Sequence, residues 1–327
     1  MLVAFACGFV AYAVLIASFS GRSQTYTSVH IGAWYRVKDA AMERTAPPRV
    51  IFIGGSNALY GMSAAVLQDA TGVSAVNAGT HGALHYRHYF EWIKDHAKSG
   101  DLVVLSLEYS HFLRSIPSAI AVNYALNVAP QIVRRIPIWL AMYAILGADL
   151  RELNSESRRN AAASWRKGIQ AHVDETVAAS ISSEGDYSHH TKASQTAEQK
   201  DMVNRQEPIE ALCRAVRINQ DIGDALRDLK AWCDAHEVRV VAAFPATIDF
   251  AGYHTNQARE ARQVFERVYA MAGIPTVQTV QEPFRPADDF YDSPYHLTEE
   301  AMRARTLQLL PALRKWLPPA AAAGAKQ

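Results

Sequence analysis

Cysteine is scarce in this chain, three in 327 residues, which excludes a disulfide-stapled scaffold. Cys213 and Cys233 fall in one helical pattern, and on a continuous helix they stand roughly 30 Å apart, too far to bridge. Cys7 lies in an apolar stretch and is read as a small buried hydrophobe. Excess charge is missing too. The net charge is +1 and no Lys/Arg-rich block stands out, so nucleic acid is not an expected partner. No internal repeat is visible. The adjacent pair His189-His190 has no second cluster at ligand spacing, so neither a metal nor a cofactor is expected. Strand signals are absent from Ser115 to about Val203.

What is present is enough apolar material, 49% of residues, for a sizeable core. Much of it opens the chain. Residues 1–21 carry no charge and include Leu2, Val3, Phe5, Phe9, Val10, Val14, Leu15, Ile16 and Phe19. That length is the length of a membrane anchor. Ser18-Phe19-Ser20 offers a signal-peptide cleavage site as the alternative, but the stretch is long for a signal peptide. Either reading puts the body of the protein outside the cytoplasm, periplasmic or extracellular. Residues 22–48 read as a partly helical linker ended by Pro47-Pro48, and the Ala/Pro/Gly-rich tail, 317–327, as disordered.

Between them, strand and helix signals alternate. Arg49-Val50-Ile51-Phe52-Ile53-Gly54-Gly55-Ser56 reads as a buried strand breaking into a tight turn, with Ser63 opening a helix after it. Ser74–Gly82 and Leu102–Tyr109 read as the second and third strands, Val238–Pro245 as the fourth and Thr276–Val280 as a short fifth. Helices are expected over Leu84–Lys98, Pro208–Ala235 and Gln257–Met271, and from Thr298, the cap, to about Trp316. The alternation predicts an α/β fold with a doubly wound, five-stranded parallel sheet of flavodoxin-like type. A largely helical insertion at about 115–203 interrupts it, inside a domain covering 49–316.

Two polar stations bracket that sheet: Ser56 after the first strand, and Asp292 with His296 before the last helix. Ester cleavage by a serine needs an imidazole to take its proton and a carboxylate to orient that imidazole. Asp292 and His296 are four residues apart, on one face of a helical turn.

On Gly54-Gly55-Ser56-Asn57, Asn77-Ala78-Gly79-Thr80-His81-Gly82, and Asp292 with His296, the sequence resembles the SGNH (GDSL-like) hydrolase superfamily. The resemblance implies Ser56 as nucleophile, His296 as base, Asp292 as its orienting acid, and backbone oxyanion donors at Ser56 and Gly82. The third block of that family is usually Gly-x-Asn-Asp, and its Asn completes the oxyanion hole. Here the place reads Glu108-Tyr109-Ser110-His111, and Ser110 falls nearest the missing Asn. Tyr109, His111 and an inward-turned Asn57 are alternatives, as Asp288 and Asp289 are to Asp292. Asn57, Tyr109 and His189 are the candidate substrate contacts. His81, His85, His88 and His111 cluster around the second and third blocks.

The layout is similar to divergent members that work with membrane-bound O-acyltransferases on bacterial polysaccharides. It implies a serine esterase or O-acyltransferase acting on acylated carbohydrate of an exported or envelope polysaccharide. The alternative is a non-catalytic scaffold that binds polysaccharide or a membrane-bound O-acyltransferase.

Overall fold

The computed structural model describes residues 2–161 and 163–319, which fall into two compact units. One unit comprises the chain through Arg36, Ala83–Glu91 and Ile116–Ala179. The other comprises Val37–Gly82, Trp92–Ser115 and the chain from Ser180 onward.

The second unit is built on a parallel sheet of four strands: β1 (Val50–Gly54), β2 (Ala75–Asn77), β3 (Leu102–Ser106) and β4 (Arg239–Ala242), ordered β2-β1-β3-β4. Ile51 pairs with Val76 on one side and Val103 on the other, and Val103 with Val240. Every residue of β1 and β3 is buried, which is why these strands read as continuous apolar runs rather than alternating ones. Val50, Phe52, Leu102, Val104 and Val241 pack with Leu67, Leu309, Leu310 and Leu313, from the helices Ala64–Thr71 and Glu299–Leu313.

The expected fifth strand is reduced to one parallel bridge, Thr276 with Ala242, with the Val277 N–H donating to the Ala242 carbonyl. A two-residue pair that the sequence did not announce, β5 (Thr247–Ile248) with β6 (Phe284–Arg285), lies beyond β4. The long helix expected over Pro208–Ala235 is broken. A turn at Glu210–Cys213 ends in extended backbone at Arg214, and Asn219 caps a new helix, Gln220–Ala235, by accepting from the Asp221 N–H at 3.1 Å. Cys213 and Cys233 therefore share no helix.

The first unit is helical. Its opening helix is Leu2–Ser18. Among the described residues no helix is long and apolar enough to cross a membrane. Instead Ile16 is buried with Val122, Leu126, Ala148 and Leu153, and the Tyr12 hydroxyl donates to the Ala148 carbonyl at 3.2 Å. The membrane anchor expected at 1–21 is thus corrected, and the location outside the cytoplasm loses the support it drew from that anchor.

The expected linker at 22–48 is mostly the helix Tyr26–Arg44. The break before it is tied down: Ser23 donates to the Leu153 carbonyl at 2.6 Å, and Asn160 donates to the carbonyls of Arg22 and Gln24 at 2.9 Å each. The expected insertion also shifts its boundary, because residues from Ser180 belong with the sheet. Of the expected disordered tail, residues 320–327 lie outside the described residues.

Candidate active site

In the order β2-β1-β3-β4 the chain leaves β1 toward one edge and returns to the other side for β3. The crevice between the carboxyl ends of β1 and β3 is the switch point of the sheet, where α/β folds bind ligands. Ser56 follows β1 there and Glu108 follows β3. Their side chains meet across the crevice, with Ser56 Oγ donating to Glu108 Oε1 at 3.3 Å.

Ser56 opens a single helical turn, Ser56–Leu59, which is held from both sides. The Asn57 amide donates to Ser106 Oγ at 2.8 Å and to the Ser106 carbonyl at 3.3 Å, tying the turn to β3. The Asn77 amide, at the end of β2, donates to the carbonyls of Met62 at 2.7 Å and of Ala58 and Leu59 at 3.3 Å. Its oxygen accepts from the Gly79 N–H at 2.9 Å. Asn57 and Asn77 are both fully buried, so their role is to position the turn. Asn57, expected as a substrate contact, is corrected on that ground.

The last helix is drawn to the same end of the sheet. Arg305 is buried, and its guanidinium donates to the Gly61 carbonyl at 3.0 Å and the Phe244 carbonyl at 2.6 Å. The Ser63 N–H donates to Thr306 Oγ1 at 2.9 Å. The helix begins at its expected cap, Thr298, which accepts from the Ala301 N–H.

The segment before it is a loop rather than a helical face. Phe290 and Leu297 form an antiparallel bridge, and the Tyr291 N–H donates to the His296 carbonyl at 2.7 Å. This closure brings His296 Nδ1 to 2.6 Å from Asp292 Oδ1. A carboxylate accepts, so the Nδ1–H donates and the other ring nitrogen is left to take a proton. Asp289 is engaged elsewhere, with Arg285 at 2.9 Å.

Aromatic rings pack around the imidazole. Tyr60 stacks on His296 with centroids 4.1 Å apart and planes at 12°. Tyr187 lies 4.5 Å from Tyr60, and His190 is edge-on to Tyr60 at 5.2 Å. Burial pushes the His190 imidazole down to about 4, so it stays neutral beside His296. The two stations share an electrostatic environment. Burial lowers His81, with Glu108 pulling it up and His296 pushing it further down. Tyr295 is raised well above its ordinary value by desolvation, with Glu108 adding to the effect.

In the third block Glu108 reaches Ser56. Ser110, expected to complete the oxyanion hole, stands inside the short helix Tyr109–Leu113, with its carbonyl accepting from the Arg114 N–H at 3.1 Å. Tyr109 is fully buried, 5.0 Å edge-on to Phe265, and serves the core rather than a substrate. His111 Nδ1 accepts from the Glu108 N–H at 3.1 Å.

His189 is exposed, with a left-handed φ of 68°, while its neighbour His190 turns inward. The rest of that motif is structural. Asp186 accepts from Ser63 Oγ at 2.7 Å, Ala64 N–H at 2.8 Å and Ala65 N–H at 3.0 Å, capping the helix Ala64–Thr71. Lys38, buried nearby, donates to the Gly185 carbonyl. Among the described residues no group of His, Cys, Asp and Glu can hold a metal ion.

Sequence reasoning missed Tyr60, His190 and Glu108. For Glu108 a signal existed, a carboxylate directly after a buried strand at the crevice. For the two rings there was none, since only the folded loops bring them to His296. The chain matches no protein-family model and no curated protein.

Proposed function

We propose that the sheet-bearing unit is a serine-dependent acyl-ester hydrolase or O-acyltransferase of SGNH type, acting on acylated carbohydrate. In this reading Ser56 Oγ attacks the ester carbonyl and His296 takes its proton. Asp292 holds the imidazole in the working tautomer and stabilises its cation. The proton then passes to the departing sugar oxygen, and water or a second sugar hydroxyl releases the acyl group. Backbone N–H groups of Ser56 and Gly82 serve the oxyanion. The carrying observation is the Asp292–His296 hydrogen bond of 2.6 Å, on a loop docked at the end of the sheet where Ser56 stands. Further support comes from the parallel strand order and from the Thr276 bridge in the place of a fifth, flavodoxin-like strand. The carbohydrate substrate follows from the resemblance of the three blocks to the superfamily.

The test is hydrolysis of p-nitrophenyl acetate by the purified protein. Turnover lost in Ser56→Ala supports the reading, and turnover unaffected by that change ends it.

One observation favours a second reading, a non-catalytic scaffold that binds polysaccharide or an O-acyltransferase. Glu108, in the block where family members carry the Asn that completes the oxyanion hole, puts a carboxylate against the serine. Rapid stoichiometric labelling of Ser56 by a fluorophosphonate counts against this reading, and polysaccharide binding that persists without labelling counts for it.

A further inference from the structure

The neighbours of the Glu108 carboxylate are those of a bound anion. Three donors converge on it: Ser56 Oγ at 3.3 Å, the Asn57 N–H at 3.5 Å and the His111 N–H. Two glycines make room for it. A Cβ on Gly82 would stand 2.2 Å from Oε1 and 2.3 Å from Oε2, and a Cβ on Gly55 would stand 2.6 Å from Oε1 and from the Gly82 Cα. Glu108 is only 6% exposed. The cradle between the turn after β1 and the Gly82 loop is therefore filled by a side chain of the protein itself.

We propose that Glu108 is the built-in occupant of the anion cradle beside Ser56 and sets the reactivity of that serine. The inference rests on the acyl-serine reading above. Two consequences follow from the geometry. The Ser56 hydroxyl spends its proton on a carboxylate instead of an imidazole, so it is oriented away from attack. A carboxylate also stands beside the serine at which an acyl oxygen must become negative, and like charges at this range oppose each other. Acylation requires the carboxylate to leave the cradle. An amide at the same position keeps the shape, removes the charge and offers a donor.

The step at issue is acylation. The Oγ–C bond forms, the ester C–O bond breaks, and the Oγ proton passes through His296 to the departing alcohol. Water then splits the acyl-serine to acid and free hydroxyl, with no change of oxidation state.

The experiment compares wild type, Glu108→Gln and the double variant Ser56→Ala/Glu108→Gln. Each is assayed for p-nitrophenyl acetate turnover and for fluorophosphonate labelling at Ser56, with folding followed by circular dichroism. Glu108→Gln is expected to acylate at least about tenfold faster than wild type, a conservative floor against the roughly 10²- to 10³-fold scale on which single oxyanion donors act. The double variant returns to background. Where Glu108→Gln does not fold, Glu108→Ala is judged by the same criteria. If wild type turns over in a Ser56-dependent way and the variant is no faster, the gating role of Glu108 is overturned and the acyl-serine reading stands. If all folded proteins fail to label at Ser56, both are overturned.

Discussion

Tyr60 lies flat on the His296 imidazole, with ring centroids 4.1 Å apart and planes 12° from parallel. The stack holds the ring that Asp292 orients through Nδ1, and a tyrosine face favours the imidazolium that forms as a proton is taken up. Tyr60→Phe keeps the face and is expected to retain turnover within about threefold, whereas Tyr60→Leu loses about tenfold or more in kcat with KM little changed. Rescue by Tyr60→Phe, which keeps the ring face, together with a loss confined to kcat in Tyr60→Leu, discriminates between a catalytic and a merely structural role.

Asp292→Asn removes the charge behind the imidazole while conserving shape. Turnover of p-nitrophenyl acetate is expected to fall by about 10² to 10⁴-fold with the melting temperature nearly unchanged. Asp289→Asn, whose carboxylate pairs with Arg285, is expected to leave turnover close to wild type. The reverse ranking would reassign the orienting acid.

His190 gives stability a pH dependence with a definite sign. Its folded value of about 4 lies below the ordinary 6.5, so between these pH values the unfolded chain binds more protons than the folded one. Stability therefore rises with pH across that window and is lost as pH falls from about 6.5 to about 4, by up to about 3 kcal/mol at 1.36 kcal/mol per unit. Urea melts at pH 7 and pH 5 measure it. A variant His190→Phe is expected to show a smaller acid loss than wild type.

Asp186 caps a helix with three hydrogen bonds and lies in the field of buried Lys38, whose own pKa burial lowers to about 7. Asp186→Ala strips the cap and leaves the buried cation without its carboxylate, a loss expected near 3–5 kcal/mol by denaturant melting. Asp186→Asn keeps some of the hydrogen bonds and is expected to fall between that variant and wild type.

Ile16, 2% exposed among Val122, Leu126, Ala148 and Leu153, tests whether the opening helix packs as a core element. Ile16→Ala is expected to destabilise the helical unit by about 2–4 kcal/mol. Val14→Ala, on a residue 65% exposed, is expected to change stability by less than about 0.5 kcal/mol. Equal effects at the two positions would contradict the packing described.

Much of this protein was legible in the chain, because the signals concerned are local. Val50–Gly54 announces a strand by β-branched apolar residues running into glycines. Thr298 announces a helix start by a hydroxyl that its own third successor can reach, and Asp292 lies close enough in sequence to His296 for a short loop to join them. The opening helix shows where such reading fails. An uncharged apolar stretch satisfies a bilayer and a protein interior equally well, and Ile16 found its partners more than a hundred residues away.

The same limit applies at the site. Residue order alone determined that a serine follows the first strand and that an aspartate and a histidine precede the last helix. Strand order and register decided that Glu108 meets Ser56, and loop closure decided that Tyr60 covers His296. Contacts of that kind depend on which backbones lie side by side, a property of the whole packed chain that no stretch of neighbouring residues encodes.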